Sequence, residues 1–230
     1  MSRRKISRRP AGAQDVRFCR APDGVQIGYA VHGAGPPLVV NTCWLSHLQH
    51  DWKSPVWRHF VEELGGIATV IRYDERGYGL SDWDVEDLSL EARISDLEAV
   101  VDAAGLDPFA LLGMSQGGPV AISYAIRHPD RVTRLALSAT HATPVRTADD
   151  EELSDTLVQL IRVGWARPES RFRRVLTAGL IPSATEEQMR WVDDLQRTRL
   201  RRPVENLSSR TTLGRHWHEP HHSDRARQGE

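Results

Sequence analysis

Lysine is almost missing from this chain: Lys5 and Lys53 are the only two in 230 residues, so the basic side chains are nearly all arginine. That is a compositional habit from which no function follows. Cysteine is as scarce. Cys19 and Cys43 fall in different predicted elements, which speaks against a disulfide framework and points to free buried thiols in a cytoplasmic protein. No stretch approaches the roughly 18 apolar residues of a membrane span. The formal net charge is −1, which leaves no electrostatic case for nucleic acid or an anionic membrane. The N-terminal MSRRKISRRPAG carries paired arginines, but no apolar segment follows them as an export signal requires. Residues 1–13 therefore read as a solvated basic tail. There is no internal repeat.

What is present suits one globular domain. Hydrophobic residues make up 40% and charged residues 27% of a 25.9 kDa chain, enough for a sizeable core. From residue 14 to 148, strand and helix signals alternate. Residues 16–33 form two alternating runs split by Pro22-Asp23-Gly24, a hairpin signal. A glycine- and proline-rich turn leads into the short strand 38–40. Ser54 as N-cap and Pro55 at the first helical position open a helix expected to stop at Gly65 or Gly66. Strand 68–74 follows. Leu90, Ile94, Leu97 and Val101 then recur at helical spacing up to Gly105. Strand 109–113, helix 116–127 and strand 134–139 complete the series. Such alternation implies an α/β fold, a mostly parallel sheet with helices on both faces, whose ligands bind at the carboxyl ends of the strands. Residues 149–195 are helical only. One helix is marked by Leu153, Leu157, Leu160 and Ile161, a second by Phe172 to Leu180. A third opens with Ser183 and Glu186 as a capping box and carries Met189, Val192 and Leu195. This segment reads as a cap over the active-site face.

The chemistry concentrates in FALLGMSQGGPVAISYA, residues 109–125. Gly113-Met114-Ser115-Gln116-Gly117 fits G-x-S-x-G, preceded by a strand and followed by a helix. The glycines suit a strand-to-helix turn too tight for side chains beside a strained serine. The N–H of Gln116, at the start of a helix, points at a developing oxyanion. A serine hydroxyl attacks little near neutral pH unless a base takes its proton.

With YDERGYGLSD (73–82), VHGAGPPLVV (31–40) and GMSQGG (113–118), the chain resembles the α/β-hydrolase superfamily. It is similar in particular to a bacterial subgroup whose members sometimes carry helix-turn-helix or cyclase modules. The likeness covers residues 14–195. It implies that Ser115 is the nucleophile and that the backbone N–H of Gln116 is one oxyanion donor. Thr42-Cys43-Trp44 stands where relatives place the second donor, which assigns Trp44. Asp74, Arg76, Gly77 and Gly79 match a structural turn. A small-molecule acyl ester and no cofactor are implied, and the serine argues against the aspartate-based epoxide and haloalkane mechanisms of relatives.

The family takes its acid from a turn after the seventh strand and its histidine from a Gly-His pair after the eighth, in the order Ser, Asp or Glu, His. Nothing after Leu195 resembles either strand, so the fold is expected without its last two strands and the activity impaired. His32, His47, His50 and His59 read as packing or surface residues and His128 as a helix cap. His141 follows the sixth strand on the edge that bears Ser115 and is the candidate surrogate base. Residues 196–230 lack apolar periodicity and read as a disordered tail. Their His216, His218, His221 and His222 have no framework to make a metal site, and none is expected. A frameshifted or truncated gene accounts for that tail. The sixth strand is then an exposed edge that invites self-association. The alternative to a serine hydrolase of esterase type is a non-catalytic truncated hydrolase or ligand-binding module.

Overall fold

The computed structural model describes residues 13–43, 45–140 and 171–198, together with the helical positions 152, 156, 159 and 164. Pro22-Asp23-Gly24 closes the expected hairpin: Gly24 takes φ +92, and Asp23 Oδ1 accepts the Val25 N–H at 3.2 Å. The turn joins strands β1 (Asp15–Arg20) and β2 (Gln26–Gly33), antiparallel with Asp15 opposite Val31 and Arg20 opposite Gln26.

Strands β3 (Pro37–Asn41), β4 (Thr69–Tyr73), β5 (Phe109–Met114) and β6 (Val132–Ser138) run parallel, and β2 joins them antiparallel to β4. The order across the sheet is β1-β2-β4-β3-β5-β6. Helices α1 (Leu48–Asp51) and α2 (Arg58–Ile67) pack on one face, α3 (Leu90–Ala104) and α4 (Gly117–Arg127) on the other. Alternation along β3 shows the division, since side chains of successive strand residues point to opposite faces. Val39 enters the larger core with Ile71, Leu97, Leu111 and Tyr124. Val40 joins Val70 and Ala68 against Leu64 of α2.

Helix α3 has a cap at each end, of which the sequence signals only Gly105. Ser89 Oγ accepts the Ala92 N–H at 3.2 Å, and Gly105 closes α3 in the left-handed conformation at φ +66. At α2 the expectation needs correction. Ser54 Oγ accepts N–H bonds from Val56 and Trp57 at 3.1 and 3.3 Å, but it caps a turn, and the helix starts at Arg58. The helix also runs through Gly65 and Gly66 to Ile67. Gly65 is a contact point instead of a stop: a Cβ there would lie 2.8 Å from His32 Cδ2.

Two further helices, α5 (Arg171–Leu180) and α6 (Glu186–Thr198), pack on each other. The capping box of α6 is Thr185 with Gln188, two residues on from the expected Ser183. Thr185 Oγ1 accepts the Gln188 N–H at 3.2 Å, and Gln188 Oε1 accepts the Thr185 N–H at 2.8 Å. Trp191 of α6 meets the His50 ring at 4.6 Å, and Gln188 Nε2 donates to the Pro55 carbonyl at 3.3 Å. Helix α6 is thereby tied to the α1–α2 segment of the core.

Among the described residues no strand follows β6, which borders β5 alone. Its Leu135 and Leu137 are 40% and 48% exposed.

Candidate active site

Ser115 lies between the end of β5 and the start of α4 with φ +50, a left-handed backbone that costs an L-residue with a Cβ roughly 1–2 kcal/mol. Three bonds hold it there. Its N–H donates to the Ser138 carbonyl at 3.0 Å, and its own carbonyl accepts from Gly118 N–H at 3.1 Å and Thr140 Oγ1 at 2.5 Å. Leu45, after β3, and Ala139, after β6, also have positive φ, at 71° and 49°. Among the described residues these are the only non-glycines with positive φ, and all three follow carboxyl ends of parallel strands. Strain gathered at one edge of a sheet is a mark of a functional site. No local pattern in the sequence announces Leu45 or Ala139.

The glycines around the serine are explained by close approach. A Cβ at Gly113 would sit 2.8 Å from the Ala121 Cβ, and one at Gly117 would sit 2.5 Å from the Asn41 carbonyl oxygen. Helix α4 therefore presses its first turn onto β5 and the exit of β3. Its N-cap is Gln116, whose side chain makes no cap bond. Among the described residues neither the Gln116 N–H nor Ser115 Oγ has a hydrogen-bond partner. A free hydroxyl thus stands beside a free donor at a helix N-terminus, where the dipole favours negative charge.

Trp44 and His141 lie outside the described residues, as do the tail histidines from His216 to His222. The described histidines make no bond to Ser115. His32 Nε2 donates to the Val61 carbonyl at 2.9 Å, its ring meets Trp52 edge-on at 5.1 Å, and burial pulls its pKa down to about 4. His47 Nδ1 accepts the His50 N–H at the start of α1. His50 Nε2 is 3.8 Å from Asp194 Oδ2. His59 is exposed on α2. His128 ends α4, 3.4 Å from Glu98, with its ring 4.5 Å from that of Tyr124 at a tilt of 37°. Among the described residues no histidine bonds to Ser115, and no group of three or more metal-ligating side chains exists.

The DERGYG turn is an anchoring structure. The buried Asp74 carboxylate accepts from Ser46 Oγ at 2.7 Å, Leu48 N–H at 3.1 Å and Leu80 N–H at 2.8 Å, binding the β3 exit and α1 to the turn. Arg76 is buried against Asp96 at 2.6 and 2.8 Å and Asp23 at 2.7 Å. Burial raises the Asp96 carboxyl to about 6 despite that pairing. At the β3 exit, a cavity with room for about one water is lined by Val40, Phe60, Met114, Asp51 and Arg72 among others. Desolvation lifts the Asp51 carboxyl to about 7, against the pull of Arg72.

A mixed sheet in this strand order, with helices on both faces and a strand-to-helix turn at Ser115, defines an α/β protein of the hydrolase-fold class. The profile of the alpha/beta hydrolase fold matches residues 36–221, and the chain belongs to that family. The match continues past Leu195, beyond which the residues alone show no strand pattern. Among relatives, a pyrrolizixenacetamide deacetylase from Xenorhabdus hominickii is 27% identical over 165 residues, covering 71% of this chain and 58% of its own. A 2-hydroxymuconate semialdehyde hydrolase from Pseudomonas is 32% identical over 108 residues, 46% of this chain and 34% of that protein. The chain thus spans between about a third and three fifths of the length of these two relatives. Among solved structures, an esterase from Exiguobacterium antarcticum superposes with a TM-score of 0.65 at 21% identity, over 85% of this chain and 71% of that one. This last likeness establishes the fold alone.

Proposed function

We propose that the chain is a serine hydrolase of esterase type acting on a small acyl ester or related acyl compound, with Ser115 as nucleophile. One observation carries the reading: Ser115, held at φ +50, has a hydroxyl that is free among the described residues, next to the equally free N–H of Gln116. Ser115 Oγ attacks the acyl carbon, and its proton passes to a base. The carbonyl oxygen becomes an oxyanion on the N–H groups of Gln116 and Trp44. Collapse expels the alcohol, and water then releases the acyl group. His141 is the proposed base. Because neither the family's acid nor its histidine is legible in the chain, the rate is expected to be low, sustained by oxyanion stabilisation and binding. That the two relatives are a deacetylase and a semialdehyde hydrolase supports hydrolysis of a small molecule as the broad class. We place the protein in the cytoplasm and assign the exposed β6 edge to weak self-association.

The second reading, a ligand-binding module without turnover, is favoured by one specific fact: among the described residues no imidazole or carboxylate bonds to Ser115. Hydrolysis of p-nitrophenyl acetate by the protein and by Ser115→Ala decides between them. Slow turnover abolished in the variant supports the esterase. Equal rates from both proteins contradict it.

A further inference from the structure

Behind the candidate oxyanion donor lies a buried ion pair to which the turn and the nucleophile motif assign no task. Glu75 and Arg93 are only 4% and 8% exposed. Arg93 donates to Glu75 through Nε at 3.0 Å and Nη2 at 2.8 Å, the two-pronged geometry that gives such pairs directional strength. The same Nη2 donates to the Gln116 carbonyl at 3.1 Å, and Gln116 Nε2 donates to Glu75 Oε2 at 3.1 Å. Burial works against the charge on Arg93, but Glu75 outweighs it and raises the guanidinium pKa, so the cation is secure.

These four bonds explain why the N-cap of α4 is a glutamine that caps nothing. Its side chain is turned to Glu75, and its carbonyl is held by Arg93, so backbone and side chain of residue 116 are tied to one rigid pair. On the opposite side, Gly117 leaves no room for even a Cβ against the Asn41 and Thr42 carbonyls. Residue 116 is therefore clamped between the β3 exit and the ion pair. Arg93 comes from the first turn of α3 and Glu75 from the turn after β4, so the clamp joins three separate elements.

We propose that the Glu75–Arg93 pair positions the Gln116 N–H as oxyanion donor and so sets the rate at which Ser115 is acylated. The proposal rests on the reading of Ser115 as nucleophile. Both residues are positioning residues, since they act through Gln116. The pair also keeps the site neutral: loss of Arg93 leaves a buried carboxylate near the place where the oxyanion forms, and loss of Glu75 leaves a cation there. Removal of Arg93 is accordingly the more damaging change.

The test is phosphonylation of the full chain by a fluorophosphonate over a range of concentrations, which separates the maximal rate from probe binding. Ser115 Oγ bonds to phosphorus as the P–F bond breaks, fluoride leaves with the electron pair, and the serine proton goes to the base. Per folded molecule, Arg93→Gln should lower the maximal rate at least about tenfold with the half-saturating concentration changed less than about twofold. Arg93→Lys should recover part of the loss, and Glu75→Gln should lose less. Arg131→Gln, which breaks the pair with Asp102 at the far end of α3, should leave the rate unchanged. An unaltered rate in a folded Arg93→Gln makes the pair merely structural and overturns the proposal while the nucleophile stands. If that variant does not fold, Gln116→Met keeps the N–H, removes the tie to Glu75, and is judged by the same criterion. A wild-type protein that takes no label removes the nucleophile reading and the proposal with it.

Discussion

Ser115, Leu45 and Ala139 occupy backbone conformations that suit glycine, and each lies at the edge where the parallel strands end. At Ser115 the consequence is measurable. Ser115→Gly should be more stable than Ser115→Ala by roughly 1 kcal/mol in urea unfolding, because only the alanine keeps the Cβ that makes φ +50 unfavourable. Asp51 supplies a second residue-scale prediction. Its folded pKa is raised from 3.8 to about 7, so the folded state holds a proton that the unfolded chain releases. That contribution is complete below about pH 4 and is lost as pH rises to about 7. Asp51→Asn should therefore gain stability over the wild type between pH 4 and 8, on the order of a few kcal/mol, in melts at several pH values. His32 works the other way. With its pKa drawn down to about 4, it weakens the fold as pH falls from 6.5. Of the site, Ser115, Gln116 and the elbow glycines were legible because motif and element pattern coincide there. Leu45, Ala139, Glu75 and Arg93 were not, since their roles arise from contacts between segments far apart in the chain.

At the scale of elements, legibility follows how local the cause is. Helix α3 carries its stop in Gly105, which works as the sequence implies, while its N-cap Ser89 shows only in the structure. Ser89→Ala should cost about 1 kcal/mol in the same unfolding assay. Helix α2 departs from its local signals at both ends. Ser54 does accept N–H bonds, but for a turn, and Gly65 is small because His32 and Gly33 lie against it. A local pattern cannot distinguish a glycine that ends a helix from one that admits a neighbour. The box at Thr185 and Gln188 was displaced by two residues because Ser183 and Glu186 offer the same spacing. Helix α1, of only four residues, gives no periodicity to read. The docking of α6 is likewise tertiary. Trp191→Ala removes the ring packed on His50 and should speed amide hydrogen exchange in residues 186–198, leaving α3 unaffected.

For the whole molecule, the alternation of strands and helices is enough to indicate a mostly parallel sheet with helices on both faces, and the mixed six-stranded sheet bears that out, its four central and outer strands β4, β3, β5 and β6 being parallel. What alternation could not show is how open β6 stands. With Leu135 and Leu137 exposed on the outermost described strand, Leu135→Lys with Leu137→Lys should reduce light scattering of concentrated protein. The central claim is that Ser115 is an activated nucleophile, and intact-mass analysis after fluorophosphonate treatment tests it most directly. The account predicts one phosphonyl adduct, mapped to Ser115 and absent from Ser115→Ala. A folded protein that gains no mass, or that gains it equally in the variant, would contradict it.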